Sequence, residues 1–235
     1  MTYVYDDMGE KEKSHEIWED LHKKYQDLYG DNHQETLMAS FHVGDLAYHN
    51  KKYDVARAIK EPVYDKLCEK ALFDEDKKLD VAATLMFCCK NLEDYEGLKK
   101  YCLEVLPLLS SRMDIYEERY WYAYELLGDA YRELEEPLKA VEIHNEILKH
   151  YEEVGDIEDI LCARLSVSID LEAAEEYEKV YEFDKESYAL VVEQYGEDSE
   201  EARDYAEYLA DDLEALNQSK DACKEVAFPP NKKLD

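Results

Sequence analysis

Histidine is the residue type in this sequence best suited to bind a metal ion. The spacing between the histidines indicates whether they could share one. Of the seven histidines, His42 and His49 lie seven residues apart and would share one face of a helix. A zinc site needs at least a third convergent protein ligand, and none is evident beside them. His144 and His150 lack the spacing of three or four residues that places two side chains on adjacent helical turns. The sequence therefore predicts no metal site and no cofactor.

Other sequence motifs of enzyme active sites are also missing. The chain has neither a glycine-rich phosphate loop nor a serine in a nucleophile elbow. With 59 acidic residues, some carboxylates will lie together by chance, so a pair of acids alone does not indicate acid–base catalysis. We therefore predict that the protein is not an enzyme. The enzymatic alternative is an active site within a groove, and a bound metal or measurable turnover would support it.

The formal net charge of −31 restricts the class of partner. A protein that binds nucleic acid needs a basic stripe to neutralise phosphates, and this sequence has none. Anionic membrane surfaces are disfavoured for the same reason. No apolar run is long enough to form a membrane-spanning helix. We expect no direct nucleic-acid binding, no membrane insertion and no signal peptide. The charge either attracts a basic partner or serves only solubility.

The six cysteines lie within helical patterns and lack the spacing of a disulfide framework. Cys88 and Cys89 are adjacent, so they point to different parts of a helix surface and cannot readily form a disulfide with each other. These residues are typical of small buried hydrophobic side chains in a reducing compartment. We therefore expect a cytoplasmic protein.

Helices must position any functional side chains, because apolar residues recur with a helical period and glycine and proline are scarce. Trp18, Leu21, Tyr25 and Leu28 line a first predicted helix. Pairs of helices then follow, and the predicted segments are 33–50, 53–67, 75–91, 94–109, 114–134, 137–154, 157–173, 176–194 and 199–216. Gly30 and Gly196 are predicted to end helices, with Asp31 or Asp198 capping the next helix.

The sequence also repeats itself, with a period of about 42 residues. Tyr29-Gly30-Asp31 and Tyr195-Gly196-Glu197 each precede a predicted helix and begin close to four periods apart. Between them, Tyr53 is matched by Tyr95 one period later, and Gly44 is matched by Gly128 two periods later. A fixed period of this length is typical of stacked helix pairs that cannot bury their apolar faces alone.

These residues resemble the tetratricopeptide repeat (TPR) family, in the 42-residue variant found in kinesin light chains. Gly44, Tyr53 and Ala56 match its small, aromatic and small positions, and Gly128 and Ala140 repeat two of them. The segment from Tyr29 to Thr36 carries the inter-repeat signature of the variant, roughly Tyr-Gly-acidic-x-His-x-x-Thr. The resemblance implies an all-α fold, an α-solenoid of antiparallel helix pairs in a right-handed superhelix.

The resemblance places the repeat array at residues 1–217. A partial repeat occupies 1–30, full repeats occupy about 31–72, 73–112, 113–155 and 156–196, and a closing helix occupies 197–217. Met8-Gly9-Glu10 resembles the turn between two helices, so the chain is expected to begin inside a repeat. Residues 218–235 lose the period and contain two consecutive prolines, and we expect them to be a flexible tail.

In this family the first helices of successive repeats line a concave groove that binds peptides. The positions that the resemblance assigns to this groove are Phe41, His42, Asp45, Tyr48, His49, Thr84, Phe87, Lys90, Asn91, Tyr122, Glu125, Asp129, Arg132, Glu133, Glu172 and Asp211. Leu126 is also expected to be exposed there. The acidic members would favour a Lys- or Arg-containing peptide, and the aromatic members would provide flat anchor surfaces. Alternatively, the acids form only a solvated face.

We therefore expect a non-enzymatic scaffold or adaptor that binds a peptide or protein segment in this groove. The alternative is a regulatory module that senses a peptide and controls an effector domain elsewhere. Homodimerisation through the ends of the array is a further possibility. The small residues are expected to tolerate no added bulk, whereas Asp45→Asn should leave stability almost unchanged.

Overall fold

A computed structural model describes residues 11–69, 75–155 and 157–227 of the chain. These residues form ten helices and no strand. The helices are α1 (Lys11–Tyr29), α2 (Gln34–His49), α3 (Tyr53–Glu69), α4 (Glu75–Asn91), α5 (Tyr95–Ser110), α6 (Met113–Glu133), α7 (Pro137–Val154), α8 (Ile157–Ala173), α9 (Tyr177–Tyr195) and α10 (Glu200–Ala227). The prediction of an all-α fold built from helix pairs is confirmed.

The chain divides into two compact units after Ala130, a position within α6. In the first unit, α1 packs on α2, α2 on α3, α3 on α4, and α4 on α5. Contact between α2 and α4 joins the first helices of successive pairs. In the second unit, α7 packs on α8, α8 on α9, and α9 on α10. Helices therefore contact their neighbours in the sequence, as in a repeat array.

The same turn follows the first helix of four successive pairs. Lys51, Glu93, Glu135 and Glu175 have φ between 56° and 59°, and each is separated from the next by close to one repeat period. Each turn has two nested hydrogen bonds, one inside the other. At the first, the Lys51 N–H donates to the Tyr48 carbonyl at 2.8 Å, and the Lys52 N–H donates to the Ala47 carbonyl at 2.9 Å. This is a Schellman motif with a charged residue at the position that glycine usually occupies.

Glycine does end helices at the predicted junctions. Gly30 and Gly196 have positive φ, 80° and 93°, which glycine adopts readily, but the ψ of 154° at Gly196 is not that of a left-handed αL cap. The predicted capping acids are wrong. His33 caps α2 by accepting a hydrogen bond from the Glu35 N–H, and Ser199 Oγ accepts from the Ala202 N–H at 3.0 Å. Asp31 lies two residues before the N-cap residue His33, and its carboxylate instead accepts a hydrogen bond from the Gln26 side chain.

The closing helix α10 continues through Ala227. It therefore extends beyond residue 217, where the sequence prediction ended it, and residues 218–227 of the expected tail are helical. Between Gly196 and Pro229 the sequence contains no glycine or proline that would stop the helix. Residues 228–235 and the Met8-Gly9-Glu10 turn lie outside the described residues.

Small residues pack together where α2 and α3 meet α4. Ala47, Ala56 and Cys88 form one buried cluster, with Tyr48 and Tyr53 packed against it. Ala56 is completely buried, as its place in the repeat motif predicts. An added side-chain atom at Ala56 would have to displace neighbours in a close-packed interior.

The cysteines depart in part from the expectation that all are buried. Cys88, Cys89 and Cys102 are buried, but Cys68 and Cys162 are exposed, and all five are free thiols. Burial raises the pKa of Cys88 to about 11 and that of Cys102 to about 12. These buried thiols stay protonated near neutral pH and are poor nucleophiles.

Within the described segments, no helix has both the length and the apolar character required to cross a bilayer.

Candidate functional site

The first unit contains an open cavity of about 860 Å³ beside the first helices of three successive pairs, α2, α4 and α6. Seven of the residues predicted for the groove line it, and these are Phe41, Asp45, Tyr48, His49, Thr84, Phe87 and Tyr122. They come together because α2, α4 and α6 each present side chains to this cavity.

Aromatic rings form a continuous wall of this cavity. The Tyr48 and Phe87 ring centroids are 5.9 Å apart, and those of Phe87 and Tyr122 are 5.5 Å apart in a stacked arrangement. Burial raises the pKa of both Tyr48 and Tyr122, so their hydroxyl groups remain protonated and can donate hydrogen bonds. The wall can therefore bind flat or apolar groups and still offer a polar contact at its edge.

Buried apolar residues complete the lining. Leu79 and Met86 come from α4, while Val105 and Leu109 come from α5, and all four are buried. The sequence prediction missed these four, since it considered only side chains expected to face solvent. Together with the aromatic wall they make the cavity predominantly apolar, which is typical of sites that bind a side chain of a partner.

Lys60 is a completely buried lysine that contacts two of the lining residues. Its ammonium group forms an ion pair with the Asp45 carboxylate and lies 3.8 Å from the centroid of the Phe41 ring. Burial lowers the pKa of Lys60, and the nearby Asp45 charge partly opposes this effect. The ion pair and the cation–π contact replace the water that a lysine normally keeps.

Gly44 explains how a lysine fits into this interior. A Cβ atom at Gly44 would lie 2.8 Å from both Cγ and Cε of Lys60, closer than such atoms approach. The absence of a side chain at Gly44 therefore leaves the channel for the Lys60 chain. The sequence prediction assigned Gly44 to close packing of helices, and the structure identifies Lys60 as the group that occupies the space.

Two further acids near the cavity also have cationic neighbours. Arg119 Nη1 lies 3.1 Å from Asp80 Oδ1, and both residues line the cavity. Lys90 Nζ lies 3.3 Å from Asp129 Oδ2, so two residues predicted for the groove contact each other. Since Asp45 is already bound to Lys60, the predicted row of carboxylates is largely neutralised by the chain's own cations in this unit.

The remaining predicted residues of the first unit have other surroundings. His42 stacks on Trp18 at 4.0 Å and thus faces α1, and the Asn91 amide donates to the Phe87 carbonyl at 2.8 Å. Glu125 is exposed. Leu126 was expected to be exposed, and this is wrong, because it is only 1% exposed. Its neighbour Leu127 is also buried. The buried apolar face of α6 is therefore wide enough to include Leu126, which the sequence prediction had placed among the groove residues.

In the second unit, Arg132 belongs to a buried polar cluster. Its Nη1 lies 2.8 Å from Asp170 Oδ1, and His144 Nδ1 lies 2.5 Å from Asp170 Oδ2. Asp170 is completely buried and His144 nearly so. Arg132 is thus held by α8, whereas Glu133, Glu172 and Asp211 are exposed on this unit.

Metal binding receives no support from the histidines singled out above. His49 lines the cavity, but His42 stacks on Trp18. Across the described residues, no group of three or more His, Cys, Asp or Glu side chains is arranged to hold a metal ion.

Comparison with known proteins yields similar structures but no similar sequences. No protein-family model matches the chain, and no curated protein matches it. One similar structure is described as the nearly identical TPR-like repeats of a putative kinesin light chain from Podosopora anserina. It has a TM-score of 0.62 at 12% identity and covers 83% of this chain and 93% of the other.

Two further structures give the same result. A single-substitution variant of those repeats has a TM-score of 0.62 at 14% identity, covering 82% of this chain and 92% of the other. BtubC (BKLC) from P. vanneervenii has a TM-score of 0.55 at 10% identity and covers 96% of each chain. At such low identity the likeness concerns the fold. The chain therefore has the α-solenoid fold of the TPR-like repeat proteins.

Proposed function

We propose that this protein is a non-enzymatic interaction scaffold that binds a peptide or protein segment in the groove formed by α2, α4 and α6. The observation that carries the proposal is the open, mainly apolar cavity with its aromatic wall of Tyr48, Phe87 and Tyr122. Aromatic anchors in a concave surface are the residues on which binding energy usually concentrates. TPR-like neighbours support a role in protein interaction.

The net charge of −31 favours a partner that carries basic residues. Asp45 and Asp129 already contact lysines, so we assign the preference to the long-range field of the protein rather than to these two carboxylates. A field effect accelerates association at low salt and is screened over about 8–10 Å at physiological ionic strength. The free thiols of the protein support a location in a reducing compartment such as the cytoplasm.

The experiment that tests the proposal selects peptides from a random display library on the full chain and measures their affinity. For peptides that bind the groove, Phe87→Ala and Tyr122→Ala should each weaken binding about tenfold or more, the usual effect of removing an anchor residue. Tyr208→Ala is the matched control, since Tyr208 is exposed to a similar extent, 43% against 38% for Tyr122, but belongs to the second unit.

Two results would contradict the proposal. One is a failure to enrich any peptide, and the other is an affinity that survives both groove substitutions. Salt dependence separates the basic preference from the rest. An association rate that does not change between low and physiological salt would contradict the preference for a basic partner. It would not contradict peptide binding in the groove.

A further inference from the structure

Three helix pairs share one contact, between a buried residue of the first helix and a buried residue sixteen positions later in the second helix. These contacts are Gly44 with Lys60, Met86 with Cys102 (3.4 Å between the sulfur atoms) and Ser168 with Asp184 (2.6 Å from hydroxyl to carboxyl oxygen). A small residue lies on one side of each contact, which lets the two helices approach each other closely.

A second contact fixes the direction of the helices within a pair. In α8 and α9, Arg164 Nε donates to Ser187 Oγ at 2.7 Å, while Ser168 contacts Asp184. The contacts therefore move towards the end of α9 as they move towards the start of α8, so the two helices are antiparallel. The repeat allows this register to be transferred to any first and second helix.

α10 is a first helix that is not followed by its second helix. The left-handed turn after α8 is centred on Glu175, and 42 residues later Asn217 lies within α10. α10 continues through Asn217 to Ala227, so the chain does not turn back at the expected place. Among the described helices, the one that packs along α10 is α9.

The face of α10 that a second helix would cover is exposed and apolar. Ala210 lies 42 residues after Ser168, and it is exposed although Ser168 is buried. Leu213 is 43% exposed, whereas its equivalent on α8, Leu171, is 7% exposed. Ala206, one turn before Ala210, is also exposed. We call Ala206, Ala210 and Leu213 the α10 face.

α1 is the converse, a second helix that lacks its first helix among the described residues. α1 and α9 are each 19 residues long, and each ends at the tyrosine of a Tyr-Gly-acidic junction. Trp18 and Leu21 therefore occupy the positions of Asp184 and Ser187. Asp184 and Ser187 are buried, but Trp18 and Leu21 are half-buried, since the described helix that packs along α1 is α2.

We propose that the α10 face of one copy binds α1 of a second copy, so that the two half-pairs form one complete helix pair. In the register of α8 and α9, Ala210 faces Trp18 of the second copy, and Ala206 faces its Leu21. A small residue again lies on one side of each contact. The contact continues the packing of α10 on α9 by one more helix, and it removes the apolar side chains of both half-pairs from water.

Charge supports α1 as the helix that binds there. α10 carries nine acidic residues against three basic ones, and its first turn contains Glu200 and Glu201. The antiparallel register brings the end of α1 to the level of this turn, and that end carries Lys23 and Lys24. Lys24 also forms an exposed ion pair with Asp20 of its own helix. Opposite charges therefore meet at one end of the proposed pair.

The proposed contact is heterologous, because the two copies contribute different surfaces. A copy bound through its α10 face keeps its own α1 for a third copy, so association can proceed beyond two chains. An interface of one helix pair is small, and we expect it to be at the weak end of specific protein interfaces.

Sedimentation of the full chain at increasing concentration, under reducing conditions, tests the proposal. Physiological ionic strength is used, since it screens the repulsion between two copies of net charge −31 beyond about 8 Å. The average mass of the wild type should rise with concentration. Ala210→Glu should weaken association about tenfold or more, because it places an unpaired charge in the centre of the contact.

Tyr208→Glu is the matched control for Ala210→Glu. It adds the same charge to α10 at a residue that is as exposed as Leu213, 43% in both cases. Its equivalent on α4, Thr84, lines the cavity, so this position does not face a second helix. Tyr208→Glu should therefore associate like the wild type.

A mixture of two variants distinguishes a contact between unlike surfaces from a symmetric one. Leu21→Glu alters α1, Ala210→Glu alters the α10 face, and each variant alone should fail to associate. Their equimolar mixture should form a heterodimer, since one variant keeps an intact α10 face and the other an intact α1. If Leu21→Glu does not fold, Lys24→Glu, at an exposed residue, takes its place in the mixture.

Three results would overturn the proposal. One is a wild-type mass that stays that of a single chain at every concentration. Another is an Ala210→Glu variant that associates as strongly as Tyr208→Glu. The third is a mixture of the α1 and α10 variants that forms no heterodimer although the wild type associates, because the contact would then involve other surfaces.

Discussion

The ammonium group of Lys60 is paired with the Asp45 carboxylate although no part of the Lys60 side chain reaches solvent. The Phe41 ring covers the same ammonium group at 3.8 Å. Asp45 is therefore the counterion of a buried charge as well as a residue that lines the cavity. A substitution at Asp45 intended to test binding would also test the stability of the first unit.

We predict that Asp45→Asn destabilises the first unit, contrary to the expectation from the sequence. Removing one member of a fully buried ion pair costs roughly 3–5 kcal/mol, and the loss here should be smaller because the Asp45 side chain is 30% exposed. Denaturant unfolding measures the change. Lys60→Met in the same background should restore most of the stability, since it removes the unmatched charge and keeps much of the volume. A double variant no more stable than Asp45→Asn would contradict this explanation.

We predict that Gly44→Ala lowers the free energy of unfolding by about 1–3 kcal/mol, the usual cost of overpacking a filled interior. The added methyl group would lie 2.8 Å from two carbons of Lys60. In a Lys60→Ala background the same substitution should cost much less, and a double-mutant cycle measures the difference. Equal costs in both backgrounds would show that Lys60 does not occupy the space beside Gly44.

We predict opposite effects for two left-handed residues that flank α7. Gly155 has φ of 83° and open space around it, so Gly155→Ala should destabilise by about 1–2 kcal/mol through backbone strain alone. Glu135 has φ of 59°, and Glu135→Gly should be neutral or stabilising because it relieves the same strain. Thermal unfolding of both variants provides the measurement. Strong destabilisation by Glu135→Gly would mean that the Glu135 side chain has a role of its own.

We predict that Arg132 acts in stability rather than in peptide binding. Its partner Asp170 is completely buried and also contacts His144. Arg132→Ala should cost about 3 kcal/mol or more, because it leaves a buried carboxylate with one partner fewer. The affinity of a groove-binding peptide should not change once both proteins are folded. If the Arg132→Ala variant had normal stability but bound the peptide more weakly, Arg132 would be a peptide-binding residue and this prediction would be wrong.

Much of this fold could be predicted from the sequence because helix periodicity and glycine positions are local signals. The ends of α4 and α8 agree with the predicted segments, and Gly30 and Gly196 end helices with positive φ. The aromatic wall was also accessible, since Phe87 and Tyr122 were both assigned to the groove-facing side of successive first helices. The end of α10 was misplaced because loss of the apolar period does not by itself stop a helix.

Partners across helices were not accessible in the same way. Lys60 belongs to α3, the second helix of its pair, and lysine is a residue type that usually lies at the surface. Nothing in the local sequence therefore indicates that Lys60 is buried. The one available signal was Gly44, a costly residue within a helix whose space some other group must fill. Asp170 and Asp184 likewise look like ordinary surface acids, and only the packing of α8 and α9 shows that they are buried.

The sequence-local packing of the helices also bears on how the chain acquires its structure. In both units, contacting helices are neighbours along the chain or are separated by one helix, as α2 and α4 are and as α4 and α6 are. Short loops close at little entropic cost, so contacts of this kind form early in folding. Helical proteins of low contact order fold on the order of microseconds to milliseconds. Any adjacent helix pair could serve as the folding nucleus. A substitution that destabilises one pair, such as Gly44→Ala, would then shift nucleation to another pair and would not prevent folding.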